Sequence, residues 1–282
     1  MIDSKVKEKI AFAILLLATI IVIAPVALVL FVVLLNGLPA LSFEFIFGMP
    51  HDGMRSGGIF PTIVGTIFLT IGTALFSIPF GILAAIYLNE YAERNWLTRV
   101  IEIAIVNLAG VPSIVYGLFG FSLFVAFLGF GSSILAGSLT LSIMTLPVII
   151  TATREALSAV PRSFREASYS LGASRWQTVR NVVLPNAIPG ILTGTILGLS
   201  RAAGETAPIL FTVAAFYLPK LPGSVYDQAM ALPYHIYVLS TQVPNVSPKI
   251  QYGTVLVLVG MIFILNIFAS YIRMHFRRKK TW

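Results

Sequence analysis

Long apolar runs separated by short polar segments organise the chain. Residues 10–35 carry no formal charge over 26 positions. That exceeds the roughly 7–15 apolar residues of a signal peptide and suffices for a crossing, which takes about 20. The pattern predicts a retained first membrane helix. Residues 61–88 form a second uncharged run. Residues 103–153 are uncharged over 51 positions, too long for one crossing. Gly129-Phe130-Gly131-Ser132-Ser133 is a turn signal that divides this run into helices three and four. Residues 187–216 predict a fifth helix, interrupted only by Arg201 and Glu205, and residues 250–272 a sixth. Pro25, Pro79, Pro112, Pro147 and Pro208 lie inside these runs, where membrane helices tolerate them as kinks or packing features.

Composition supports the same reading. Of 282 residues, 57% are hydrophobic and 11% charged, against roughly 25% charged in soluble domains. A soluble enzyme and a disordered chain are both excluded, leaving an all-α integral membrane protein. The position of its few charges sets its orientation. Fifteen of nineteen basic residues fall on one side, in the N-terminal tail, the loops after helices two and four, and the C-terminal tail. Arg55, Lys220 and Lys249 fall on the other, and Arg201 lies within a helix. Both termini are therefore expected in the cytoplasm. The net charge of +8 is accounted for by these topology signals next to acidic lipid, and no nucleic-acid role is expected. Six kinked helices favour transport over simple anchoring.

Several chemistries are missing. No cysteine is present, so disulfides and thiolate metal sites are excluded. No Gly-Lys pair occurs, so a phosphate-binding P-loop cannot form. His51, His235 and His275 lack metal-ligand spacing. No catalytic residues and no metal site are expected.

The loop after helix four reads REALSAVPRSFREASYSLGASRWQTVRNVVLPNAIPG from residue 154. Pro161 suits the first position of a helix. Phe164, Ala167, Ser168 and Leu171 then recur at helical spacing as a small apolar stripe, and Gly172 supplies a stop. Ser174 with Gln177 is a capping-box pattern that opens a second helix. This helix is expected to place Trp176, Val179 and Val183 on one face and to end at Pro185. Such a pair of helices can lie on lipid or fit a groove on a cytoplasmic partner, and its narrow, small-residue side suits a protein groove.

In the fifth run, Gly190, Gly194, Gly198 and Ala202 repeat every four residues as a close-packing face. Arg201 lies about 60° from Gly198 on a helical wheel, so it is expected to point towards protein. Glu205 follows four residues later on the same face, and the pair falls at the middle of the run. Intramembrane charge costs roughly 3 kcal/mol on insertion scales. It persists as an internal ion pair that fixes packing or as part of a polar path. Pro208 disrupts the bond to Gly204, so the helix is expected to bend or open beside Glu205. A guanidinium matches phosphate oxygens with bidentate donors. Glu205 would repel an anion and better serves to hold or neutralise Arg201.

Several segments resemble a known family. The stretch REASYSLGASRWQTVRNVVLPNAIPGI resembles the EAA loop of binding-protein-dependent ABC importer permeases, with Glu166, Ala167, Gly172, Leu184 and Pro185 at matching places. Ala167-Ser168 stands where many members have two alanines. RAAGETAPIL (201–210), GGIFPTIVGT (57–66) and LAGVPSIVYGLF (108–119) resemble the phosphate-specific permeases. ALPYHIYVL (231–239) is more similar to their PstA branch than to PstC. The resemblance covers residues 61–272. It implies a type I ABC importer permease core there, with a cytoplasmic coupling loop at 154–186. An N-terminal tail, first helix and outer loop would precede it at 1–60, and a basic tail would follow at 273–282. It further implies an inner-membrane, multi-pass subunit paired with a PstC-like permease and a dimer of a PstB-like P-loop ATPase. A periplasmic PstS-like binding protein would deliver inorganic phosphate. ATP and Mg would be used by the ATPase, with no cofactor in this chain. Arg201 and Glu205 fall on the family's intramembrane charged positions. Another oxyanion, such as molybdate or phosphonate, is the nearest alternative substrate. A self-sufficient ion-coupled carrier would leave the two-helix loop without a purpose, and a scaffold would not need the Arg–Glu pair.

Weaker features are read as packing or solvation. Glu44, His51, Asp52 and Arg55 in the outer loop, and Lys220, Asp227 and Lys249 in loop 217–249, are expected to be solvated charges. Phe43, Phe45 and Phe47 are expected at the interface. Glu90, Glu93 and Arg94 are expected in a solvated cytoplasmic turn, and Pro112 is expected to shape helix three.

Overall fold

A computed structural model describes residues 4–278. Lys279 and Lys280 of the basic tail lie outside the described residues. The chain opens with α1 (Ser4–Gly37), then a short helix α2 (Phe43–Phe47) and an antiparallel hairpin of β1 (Pro50–His51) and β2 (Ser56–Gly57). α3 (Phe60–Ile86) ends in a π-helical turn, Tyr87–Tyr91. α4 (Trp96–Ala109) and α5 (Ser113–Gly120) follow, the latter extended by a π segment, Phe121–Phe127. Next come α6 (Ile134–Ser158), α7 (Arg162–Ser170) and α8 (Arg175–Thr178). α8 runs through a π turn, Val179–Val183, into α9 (Leu184–Gly204). α10 (Ala207–Thr212), α11 (Leu232–Thr241) and α12 (Pro248–Arg278) complete the described chain.

Five helical stretches are long and apolar enough to span a membrane, and the α4–α5 pair, bent by 105°, makes a sixth. The third span thus differs from the expected single helix. It starts earlier because the Asn95 side chain accepts from Thr98 N at 2.9 Å and caps α4. It breaks at Gly110-Val111-Pro112 because proline lacks an N–H and disfavours helical backbone in the residue before it. The Tyr116 hydroxyl donates to Leu108 O at 2.7 Å across this break. That bond pairs a carbonyl which apolar surroundings would otherwise leave unsatisfied. The predicted turn between spans three and four is present, with Gly129 and Gly131 at φ values of 69° and 65°, a region that favours glycine.

α6 is the central helix. In its apolar stretch 67% of residues are buried, against 6% for α1. Its neighbours approach through glycine. A Cβ at Gly72 of α3 would collide with Ser138, and one at Gly81 would lie 2.7 Å from Ile149. From α9, a Cβ at Gly190 would lie 2.6 Å from Ala156, one at Gly198 2.8 Å from Thr145, and one at Gly194 would overlap Ala152. The expected glycine face thus packs against α6, with Ala202 buried on the same side. Ser142 ties α6 to α3: its Oγ donates to Ser138 O at 2.6 Å and reaches Thr73 O on α3 at 3.1 Å. The apolar side chains of α1 point outward almost throughout, as suits a lipid-facing helix.

The outer segments are more structured than expected. Phe45 is buried, while Phe43 and Phe47 stay exposed and pack on each other with ring centres 4.7 Å apart. In loop 217–249, Asp227 is half-buried and also organises its own loop. Its carboxylate accepts from Gly223 N and Ser224 N at 2.8 and 3.0 Å, and its carbonyl accepts from Ile134 N at the start of α6. The loop also carries α11, whose start is held by Leu232 N donating to Thr66 Oγ1 at 2.8 Å. Burial pushes the His235 imidazole down to about 4, so it stays neutral.

The α6–α9 contact leaves no room at Gly194. Gly194→Leu is expected to destabilise the purified protein by about 1–3 kcal/mol through overpacking, seen as a lowered Tm. Gly260→Ala, with open space around it, is expected to leave Tm unchanged or slightly raised.

Candidate functional site: a charged pair at a helix break and a two-helix inner loop

Arg201 and Glu205 form an ion pair, with Arg201 Nε 3.2 Å from Glu205 Oε1. Its setting differs from the expected mid-helix position. Arg201 lies in the last turn of α9, and Glu205 lies just beyond its end with extended backbone. The helix stops because Pro208 cannot donate to Gly204; it occupies the first turn of the short α10 instead. The pair therefore bridges a broken helix end. A cation there complements the partial negative charge of the helix C-terminus. Arg201 does not point into this chain: its side chain is 50% exposed and that of Glu205 16%. Glu205 lines a small cleft with Thr66, Thr70 and Pro233. A Cβ on Gly204 would meet only Ile262 Cδ1, at 3.8 Å, so this glycine marks the helix end without close packing. Tyr116, which the sequence reading did not single out, lies within electrostatic reach of Arg201. A tyrosine beside a broken span was the signal available.

The inner loop forms as two helices joined at Gly172, whose φ is +81°. The capping box is complete: Ser174 Oγ accepts from Gln177 N at 3.3 Å, and Gln177 Oε1 accepts from Ser174 N at 2.7 Å. Pro161 is the residue before the first helical position rather than that position itself. The second helix does not end at Pro185. A π turn shifts the register ahead of Pro185, and wider π bonding accommodates the missing N–H. The helix therefore continues from the inner loop to Gly204.

The expected apolar faces are also divided differently. Val179 and Val183 are fully buried in a cluster with Leu157, Val160, Ile86 and Phe164. Trp176 is 52% exposed, Leu171 is 89% exposed, and Glu166, Ala167 and Tyr169 are exposed beside them. Leu184 and Pro185 are half-buried at the root of α9.

Glu90 overturns the expectation of a solvated turn. Its side chain is only 6% exposed and pairs with Arg165 of α7, Nη2 to Oε1 at 2.7 Å and Nε to Oε2 at 3.2 Å. Nearby, Arg154 of α6 pairs with Glu102 of α4. Glu93 and Arg94 are exposed, as expected.

A bundle of five long spans and one broken one, with a charged helix break and a two-helix inner loop, has the fold of a type I ABC importer permease. The profile described as "Binding-protein-dependent transport system inner membrane component" matches residues 77–282, and the chain belongs to that family. It is therefore a multi-pass inner-membrane transport subunit and not an enzyme. It is 33% identical to the probable ABC transporter permease protein YqgI of Bacillus subtilis (strain 168), with 99% of each chain covered. It is 38% identical to the phosphate transport system permease protein PstA 1 of Mycobacterium tuberculosis (strain CDC 1551 / Oshkosh), covering 80% of this chain and 73% of that one. A chain from the crystal structure of a bacterial ABC transporter involved in alginate import aligns with a TM-score of 0.70. It covers 96% of this chain and 97% of that one at 15% identity, a likeness of fold.

With open space but positive φ at Gly172, Gly172→Ala is expected to cost about 1–2 kcal/mol of local backbone strain. Hydrogen exchange over residues 161–178 should speed up accordingly. Gly172→Asn, which tolerates that conformation better, should speed it less.

Proposed function

We propose that this chain is the membrane subunit of an ATP-driven importer of inorganic phosphate, with residues 61–272 forming its permease core. The Arg201–Glu205 pair carries the reading. A permanently charged guanidinium sits half-exposed at a broken helix end, held by a carboxylate that an incoming anion can replace. Phosphate offers paired oxygens that match the guanidinium fork, and the similarity to PstA 1 supports the same substrate. Selectivity would reside mainly in a separate periplasmic binding protein.

Loop 154–186 is assigned to couple transport to a P-loop ATPase dimer. Leu171, Trp176, Ala167 and Glu166 present a mixed apolar and acidic knob to the cytoplasm, suited to a protein groove. ATP and Mg would be held by that partner, with a homologous permease completing the pathway. Gly190, Gly194 and Gly198 hold α9 on α6, and Pro208 keeps the pathway end of α9 open.

The decisive experiment is uptake by proteoliposomes holding the full complex, with and without ATP. Arg201→Ala is expected to lower phosphate uptake about 10–100-fold with assembly intact, the cost of losing a charged hydrogen bond worth about 1.5–3 kcal/mol. Normal uptake by the assembled variant overturns the pathway role, and uptake without any ATPase overturns the importer class. Preference for molybdate over phosphate overturns the substrate assignment. Independently, Glu166→Arg or Gly172→Arg should reduce copurification of the ATPase subunit, and undiminished copurification with both counts against the docking role.

A further inference from the structure

Arg165 does more than fill a position on α7. Its guanidinium makes four hydrogen bonds: Nε and Nη2 to the two oxygens of Glu90, Nη1 to Val160 O at 2.8 Å, and Nη2 to Leu157 O at 2.9 Å. The last two acceptors are carbonyls in and just after the final turn of α6, where Leu157 O also accepts from Val160 N at 3.3 Å. Glu90 lies in the π turn that ends α3. One side chain of α7 therefore grips the inner ends of two spans at once. Glu90 is held in turn: Asn89 Nδ2 donates to Oε1 at 2.8 Å, and Ser158 Oγ donates to Asn89 Oδ1 at 2.7 Å. The second helix of the loop reaches the same π turn, with Arg175 lying 5.2 Å over the Tyr91 ring.

An ion pair this buried adds little stability over well-packed apolar side chains of similar volume. The apolar cluster around Val179, Val183, Leu157 and Ile86 already packs beneath the loop. What apolar packing does not supply is a fixed angle, and a planar fork on a carboxylate does. π turns also concentrate at functional places in helices. We propose that Glu90 and Arg165 form a positioning clamp. It makes α7 move as one body with the inner ends of α3 and α6, so that displacement of the loop reaches the spans. The inference rests on the reading of 154–186 as the ATPase-coupling loop.

The test uses the full complex in proteoliposomes with Glu90→Gln, which keeps the size and removes the charge. The expected result is near-normal ATP hydrolysis by the assembled complex, phosphate import slowed at least tenfold, and ATP consumed per phosphate raised to match. A purely structural role predicts that hydrolysis and import fall together in step with the amount assembled, and that result overturns the clamp. The chain has no cysteine, so in a complex whose other subunits are first cleared of cysteine, Ser163→Cys on α7 and Tyr87→Cys on the π turn carry the only spin labels. Their separation is expected to stay fixed between the apo and ATP-vanadate states, and to change with nucleotide once Glu90→Gln is added. The same separation in both backgrounds overturns the clamp. If Glu90→Gln fails to assemble, Arg165→Lys, which keeps the charge and loses the fork, carries both readouts. If the unmodified complex imports no phosphate, the substrate reading fails, while the label distances, which need only ATP, still decide the clamp. If no ATPase copurifies, the coupling reading and the clamp fall together.

Discussion

Backbone-to-backbone approach onto α6 sets the positions of everything else. Apolar side chains gain little by leaving lipid for one another, so spans associate through close packing and internal hydrogen bonds. Here closeness comes from glycines on α3 and α9 set against Ser138, Ile149, Thr145, Ala152 and Ala156 of α6. Once α9 is seated by Gly190, Gly194 and Gly198, the direction of Arg201 is no longer free. Residue 198 faces α6, and Arg201, about 60° round the helix and in its last turn, is half-exposed at the edge of that contact.

The spans and the inner loop were legible because their signals are local. Uncharged length gives a crossing, Ser174 and Gln177 give a capping box, and an open loop position gives Gly172 its left-handed backbone. The missed features depend on partners distant in sequence. Glu90 looks like a surface charge until Arg165, 75 residues later, is brought against it. α11 is hidden in a polar-bounded outer segment because its ten residues are too few to read as a crossing. Proline misled in two directions. Pro112 ended a helix that the uncharged run suggested was continuous, whereas Pro185 ended nothing, because a π turn absorbed its missing donor. Residue type alone does not separate these outcomes; the hydrogen bonds available to the freed carbonyls do.

Charge is scarce here, and each ion pair described occupies a junction. Arg165–Glu90 joins the inner loop to α3 and α6, Arg154–Glu102 joins α6 to α4, and Arg201–Glu205 closes the end of α9. Their surroundings divide their possible work. Glu90 is saturated by Arg165 and Asn89 and buried from solvent, which suits a fixed joint. Arg201 uses one of its donors on Glu205 and leaves half its side chain accessible, which suits exchange with an incoming anion. The pair that looked like a solvated turn is the tighter one, and the pair that looked internal is the open one.

The helix joining these two places is continuous from Arg175 to Gly204 over 30 residues, about 45 Å at 1.5 Å per residue. Its inner end lies in the two-helix loop, and its outer end carries Arg201. Hinges arise where backbone bonding is interrupted. Beyond the π turn at Val179–Val183, Pro185 and Pro189 are accommodated without a break, and the next interruption comes at Glu205. A displacement that reaches Leu184 therefore meets no further interruption in α9 before Gly204. On the proposed function, it would be expressed where the helix stops, by reorienting Arg201 relative to the segment bearing Glu205. The break at Pro208 would then be the point where motion from the inner loop is converted into opening or remaking of the ion pair.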